Sequence, residues 1–369
     1  MQPTHGPYLP TTAGLGGSPT KTLDDPITSI FLVLFVIGAV THMFILQINM
    51  RRKHKFIMSG LLFGFCMARI VTCTMRLVWS THLTNVSVAI AASIFVAAGV
   101  IILFIVNLIF TQRIIRATHP HLGWTKTFSW AFRLWYGCII GLLAALITCT
   151  VLSYYTLDTD IRRKYRDVQL VGSTFFAVSA FLPIPLILGS IIIPKKTRIE
   201  KFGSGRFRTK IYILLFSSVI LTLGAAFRSG TAYVPKPRSD PPWYVSKACF
   251  YLFNFTIEII VVALYAAIRV DKRFHVPDKS HGPGDYSRTS PAGQEQDKEQ
   301  TLEKRPSLAD RVLSEEQVFD DDEETQVGSP IEKRIPDVES GLARPVSEVS
   351  QTVSSIAKPE ETHNAEDVH

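Results

Sequence analysis

Seven separate apolar stretches constrain this chain more than any other feature, because about 20 such residues in an α-helix cross the ~30 Å hydrocarbon layer of a bilayer. They run from Ile27 to Ile48, Phe56 to Trp79, Ser87 to Phe110, Leu134 to Thr156, Val168 to Ile193, Ile211 to Gly230 and Ser246 to Ile268. Hydrocarbon offers no water to backbone N–H and C=O groups, so runs of this length close their hydrogen bonds within a helix. The expected fold class is an all-α membrane protein, a seven-transmembrane helix bundle over residues 27–274. It is flanked by a disordered extracellular N-terminus (1–26) and a disordered acidic cytoplasmic C-terminal tail (275–369).

Charge divides the chain at the same place. Up to Phe274 there are 29 Lys and Arg against 9 Asp and Glu, and beyond it 10 against 22. The basic residues occur in short bursts between the apolar runs, the pattern of membrane-flanking loops, so no nucleic-acid partner is expected. Odd-numbered connections and the exit from the seventh run hold 18 of them, including seven between Lys195 and Lys210, whereas the other side holds 8. The richer side is cytoplasmic, which places the N-terminus outside and the C-terminus inside. One loop runs against this rule: LDTDIRRKYRD, after the fourth run, puts four basic residues outside. The first 26 residues have no apolar core, so the first helix itself directs insertion. A plasma-membrane location is expected in preference to an endomembrane one, with membrane lipids as the surroundings.

The tail is rich in Ser, Pro, Glu, Asp and Lys and buries too little apolar surface to offset ordering its backbone. Ser307 in KRPSL and Ser347 in RPVS have the form of basophilic-kinase sites, and Ser290 and Ser329 precede proline, so all four are phosphorylation candidates. The five cysteines lie in or beside apolar runs, as small buried residues do.

Polar groups at membrane depth carry the functional information, since a charged side chain at a helix centre costs about 2.5–3.5 kcal/mol on the insertion scale. In the second run Ser59, Cys66, Arg69, Cys73 and Arg76 recur at spacings that place them on one stripe. In the seventh, Lys247, Tyr251, Asn254, Glu258 and Tyr265 do the same. Depths reckoned from the run ends put the Cα atoms of Arg69 and Glu258 within about 8 Å of one level, which predicts an ion pair between them. That pair either fixes helix packing or lines a substrate or ion route. Arg76 and Arg228 fall nearer the outer border, where snorkelling would leave them without a buried partner. His42 in the first run and Asn107 in the third are further candidates for the bundle interior, and Pro183 and Pro185 predict a kink in the fifth helix.

Other chemistries lack their residues. The seventh run has no central lysine for a retinal Schiff base, and His42 has no second histidine to form a haem pair. HPH at His119 to His121 is too short a set to hold zinc, and there is no GxxxxGK[ST] loop for ATP. No cofactor, no metal and no enzymatic activity is therefore expected. Asn85 opens NVS in a short outer loop and is a weak glycosylation acceptor; the NFT at Asn254 lies within a helix. The expected function is binding or translocation of a small amphiphilic, lipid-like molecule. The alternatives are a divergent G-protein-coupled-type receptor, whose 195–210 loop and tail would contact cytoplasmic signalling proteins, and a non-catalytic membrane scaffold. Against the receptor, the third run ends FTQRII and the seventh contains no proline.

The stretches HKFIMSGLLFGFCMARIVTCTMRLVW, FIVNLIFTQRIIRATHP, LTLGAAFRSGTAY and FYLFNFTIEIIVVALYAAIRVDKRFHVP resemble an uncharacterised family of fungal seven-helix integral membrane proteins, over about residues 27–277. A more distant similarity is to the fungal lipid-translocating exporters, tied to resistance to toxic amphiphiles. That resemblance implies a shared helix count, an Arg near the end of the sixth helix and a basic exit from the seventh. In FRSGTAY, Arg228 lacks the acidic residue that typically follows in that group.

Overall fold

The computed structural model describes residues 6–8, 12–52, 56–194, 199–277 and 280–286. Within them, seven helices are long and apolar enough to cross a membrane: α1 (Asp24–Arg51), α2 (Ile57–Thr81), α3 (Val86–Thr118), α4 (Lys126–Tyr155), α5 (Thr159–Ile192), α6 (Phe207–Tyr233) and α7 (Lys247–Ala267). A short turn of helix, α8 (Val270–Arg273), follows. Each expected apolar run lies within one of these helices or overlaps it almost completely. Candidate phosphorylation sites Ser290, Ser307, Ser329 and Ser347 lie outside the described residues, as does the rest of the tail from 287 onward.

Consecutive helices run antiparallel, giving the bundle one face where α1 begins (the N-terminal face) and an opposite face where α7 ends. α1 packs on α2 and α7, α3 on α2, α5 and α6, and α6 on α5 and α7. The outward surface is apolar: Ile30, Val33, Ile37, Val40 and Phe44 form the exposed stripe of α1, while Thr28, Phe35, Ala39, His42, Ile45 and Asn49 face inward. This inversion of a soluble helix is what lipid requires, since the hydrocarbon is as apolar as the core. α4 lies at the periphery, with Phe132 and Ile139 its two buried residues. Its position corrects one expectation: Cys66 and Cys73 are buried, but on α4 Cys138 is exposed and Cys149 half-buried; Cys249, at the start of α7, is half-buried too, and all five are free thiols.

Three helices are interrupted where their sequence disfavours a regular ladder. α5 breaks at Leu182, because Pro183 starts a new segment with no N–H to donate; the interruption falls where the prolines predict a kink. α3 breaks at Val100, between Gly99 and Ile101, and α7 contains one π-helical turn at Leu252–Thr256. Such turns concentrate at functional positions because they redirect side chains and free carbonyls.

Two boundaries differ from those expected. The RRKYRD cluster is not a loop but the opening turns of α5, capped by Asp158, whose Oδ1 accepts from the amides of Asp160 at 2.8 Å and Ile161 at 3.3 Å. Hydropathy marks only the lipid-crossing part of a helix and misses a polar extension beyond it. Residues 12–23, expected without structure, are also ordered. Ala13 N–H donates to Lys236 C=O at 2.8 Å and Gly16 N–H to Val245 C=O at 2.9 Å, so this segment lies across the connection between α6 and α7.

On the opposite face the 199–207 segment turns back into the bundle, burying Ile199, Phe202 and Phe207. The start of the tail packs there too: Gly284 N–H donates to Glu200 Oε1 at 2.6 Å, and Tyr286 stacks edge-on against Trp124. Burial pushes the Glu200 carboxyl above its ordinary value, with the Gly284 and Tyr286 amides acting in the other direction. The proposed signalling loop is thus partly core, and its residues 195–198 lie outside the described set. Gly203 holds the turn together at φ +61°, and a Cβ there would sit 2.2 Å from the Arg273 carbonyl oxygen. Gly203→Ala is expected to lose the roughly 1–2 kcal/mol cost of a left-handed non-glycine residue plus the displacement of α8. Gly17→Ala, at φ +54° with open space around the Cβ, loses the backbone part alone. Thermal-unfolding midpoints of the two purified variants check this, and equal shifts would remove the packing role of Gly203.

Candidate functional site

The two predicted polar stripes meet in the bundle interior. Arg69 on α2 forms a two-pronged ion pair with Glu258 on α7, Nε to Oε2 at 2.5 Å and Nη2 to Oε1 at 2.6 Å, with both side chains buried. Its third nitrogen, Nη1, donates to the carbonyls of Val96 at 3.0 Å and Phe95 at 3.3 Å. The α3 break makes the Val96 carbonyl available, since the Val100 N–H that would bond it in a regular helix turns to Ala98 C=O. Gly99 supplies the room: a Cβ on it would lie 3.1 Å from Arg69 Cζ. Phe65 and Phe255 present their rings to the guanidinium. Every feature a buried charge requires, an opposite charge plus hydrogen bonds for the remaining donors, is therefore provided by α2, α3 and α7 together.

Arg228 on α6 joins this pair from the side, which corrects the expectation that it snorkels alone. Its Nη1 lies 3.4 Å from Glu258 Oε1, 3.3 Å from Asn254 Oδ1 and 3.5 Å from the Phe253 carbonyl. The π turn in α7 lies at this point of contact, and Asn254 remains anchored by donating to Phe250 C=O at 2.9 Å.

Arg76 is corrected more strongly. It is 4% exposed and bound to a residue that the sequence had not brought forward, Asp24. Asp24 Oδ1 accepts from Arg76 Nη2 at 2.7 Å and Tyr251 OH at 2.8 Å; Oδ2 accepts from Lys247 Nζ at 2.5 Å and from Thr20 N–H at 2.8 Å. Arg76 also donates to Gly16 C=O at 3.2 Å and lies over the Phe250 ring. The signal available was the Asp24–Asp25 pair ahead of Pro26, an acidic helix start of the kind the helix dipole favours. Asp24 and Asp25 fall within the 1–26 stretch for which composition predicts no structure.

Deeper towards the opposite face, Asn107 bonds Ser218 Oγ at 3.1 Å, Ser217 Oγ at 3.3 Å and the Tyr265 hydroxyl. His42 Nε2 lies 3.3 Å from Val262 C=O. Both candidates are bonded to neighbouring helices, and neither lines the cavity at the N-terminal face. Asn85 caps α3, its side-chain oxygen accepting from Val88 N–H at 3.3 Å. Below Asn49, Asp271 binds Arg269 and the Asn49 amide; burial alone would raise its carboxyl, but these partners hold it below the ordinary value. Among the described residues no cluster of three or more His, Cys, Asp or Glu is arranged to hold a metal ion.

A cavity of about 750 Å³ opens between these charge centres and the N-terminal face. Ala89, Ala92, Val96 and Ala97 of α3 form an apolar wall, with Trp79 and Phe250 beside it. The segment 12–18 and the connection around Trp243 cover it, and Arg76, Arg228, Arg238 and Lys247 supply charge. Its size suits a small ligand, for which pockets of roughly 300–1,000 Å³ are usual.

The helices and the site define a multi-pass, seven-helix membrane protein with paired charges in its interior. Residues 120–204 and 200–275 match a family model described as "Protein of unknown function (DUF3112)", in keeping with the uncharacterised family that the sequence resembles. No curated protein and no solved structure matches the chain.

Proposed function

We propose that this chain binds an amphiphilic molecule in the cavity at its N-terminal face and moves it between the membrane and the aqueous phase, without catalysing a reaction. The observation that carries this reading is the mixed lining: small apolar side chains of α3 at Ala89, Ala92, Val96 and Ala97 together with cationic and polar groups of α2, α6 and α7. An amphiphile matches such a surface, with its chain against small side chains and its head among donors. In this reading the N-terminal face is outside and the chain continues into the cytoplasm, in line with the distribution of Lys and Arg between the two sets of loops. The plasma membrane is the favoured location.

A bound ligand stabilises the folded protein by about 2.7 kcal/mol at 100 times its dissociation constant. Oleate, oleyl alcohol and oleylamine are therefore to be screened by thermal unfolding of the purified full chain in a neutral detergent. At least one is expected to raise the midpoint by several degrees, and Ala97→Phe, which fills the cavity from α3, is expected to abolish the rise. No stabilisation by any of them would sink the reading and leave a scaffold. Binding without transfer of a labelled analogue across proteoliposomes would favour the receptor.

A further inference from the structure

The four cations that line the cavity are not equivalent, because two carboxylates behind its wall neutralise them unequally. Among the described lining residues there is no Asp or Glu. Asp24 stands behind Arg76 and Lys247 and binds each directly, at 2.7 and 2.5 Å. Arg76 is thereby held in place, its Nη2 divided between Asp24 and the Gly16 carbonyl and its Nε turned to the Tyr251 hydroxyl at 3.3 Å. Lys247 is shared with Thr20. Arg238 lies at the exposed rim, where water screens it, and donates to Ser18.

Arg228 differs from all three. Among the described residues its only carboxylate neighbour is Glu258, and both oxygens of Glu258 are already occupied at 2.5 and 2.6 Å by Arg69. Arg228 reaches that carboxylate at 3.4 Å through Nη1 alone, with its two other contacts also long. Among the described residues its Nε and Nη2 make no hydrogen bond, although the side chain is only 17% exposed and lines the cavity. Glu258, like Asp24, serves two cations, but Asp24 holds both of its partners closely whereas Arg228 is left at long range from its carboxylate in a site largely withdrawn from water. A buried cation in this state requires an anion, and the planar Nε/Nη2 edge presents two parallel donors, the geometry that carboxylate and phosphate oxygens accept.

We infer that the ligand's head group is anionic, a carboxylate or phosphate that docks on the free edge of Arg228, with its single alkyl chain along the α3 wall. The inference rests on the amphiphile reading above and narrows it to one charge class. Small side chains at Ala89, Ala92 and Ala97 give the alkyl chain an apolar lining, to which Trp79 and Phe250 add. Arg69 and Glu258 then act as positioning residues: they hold Arg228 from behind without touching the ligand.

The test compares oleate, oleyl alcohol and acetate on the full chain in discs of zwitterionic lipid. Oleate and oleyl alcohol share the chain and differ in charge; acetate has the head without the chain. In the wild type oleate is expected to bind about tenfold or more tighter than oleyl alcohol, the difference made by charge-assisted hydrogen bonds. Acetate is expected not to compete. Arg228→Gln is expected to bring oleate down to the affinity of oleyl alcohol and leave oleyl alcohol unchanged, whereas Arg238→Gln leaves the preference intact. Equal binding of oleate and oleyl alcohol by the wild type overturns the anionic head group while the amphiphile reading stands; binding of neither overturns both. Should Arg228→Gln not fold, the wild type still decides. An oleate carrying a photoreactive group beside its carboxyl is expected to label residues 224–232 or 251–258, and labelling confined to the rim at 238–247 would overturn the placement.

Discussion

Glu258→Gln is expected to destabilise the bundle by roughly 3–5 kcal/mol, the range for removing one partner of a buried ion pair. The loss leaves not one guanidinium but two, Arg69 at 2.5 Å and Arg228 at 3.4 Å, facing each other around a neutral amide. The reverse substitution is expected to be milder. Arg69→Met, an apolar residue of similar length, leaves Glu258 with Arg228 as a ready replacement and removes an arginine packed against Phe65 and Phe255. Thermal or detergent-induced unfolding of the purified variants measures both. The asymmetry is the decisive feature, because a simple two-residue bridge predicts equal losses, and a Glu258→Gln midpoint at the wild-type value would remove the carboxylate from its central role.

Asp24→Asn is the second large effect, with a loss of about 3 kcal/mol, at the lower end of the same range. Lys247, at 24% side-chain exposure, can turn to water, but Arg76, at 5%, cannot. The effect should also be local in a way that of Glu258 is not. Asp24 ties Thr20 to α2 and α7, and Arg76 reaches Gly16, so the cover over the cavity depends on this carboxylate. Amide exchange at residues 13–20 is expected to accelerate strongly in Asp24→Asn and to stay near the wild-type rate in Arg69→Met. Slow exchange in both would mean that the cover is held by the α6–α7 connection alone.

These two centres show how much the sequence made legible. The Arg69–Glu258 contact followed from helical period and depth, since both residues lie near mid-membrane, where a charge without a partner is costly. The polar stripes of α2 and α7 followed for the same reason: period 3.6 is a local property of the chain. Arg228 and Arg76 did not follow. Depth alone placed them within reach of water, but the α6–α7 connection and the 12–20 segment fold over that end of the bundle, burying Arg76 and leaving Arg228 only partly exposed. Asp24 was missed because its role is defined by a partner 52 positions away rather than by its neighbours. The RRKYRD helix start was missed because hydropathy reports what contacts lipid and is silent on where hydrogen bonding begins.

The sequence by itself determined the number of long apolar helices, their approximate limits and the two helices with polar faces. Each depends on residues within a few turns of one another, and the bilayer imposes the same requirement on every segment. The tertiary structure alone decided how two carboxylates are divided among the cations of α2, α6 and α7, and that a cavity lies between them with one guanidinium edge unfilled. Ion pairing acts over a few ångströms between helices distant in sequence, so it is fixed by where the breaks in α3 and α7 bring the side chains, which no local pattern records.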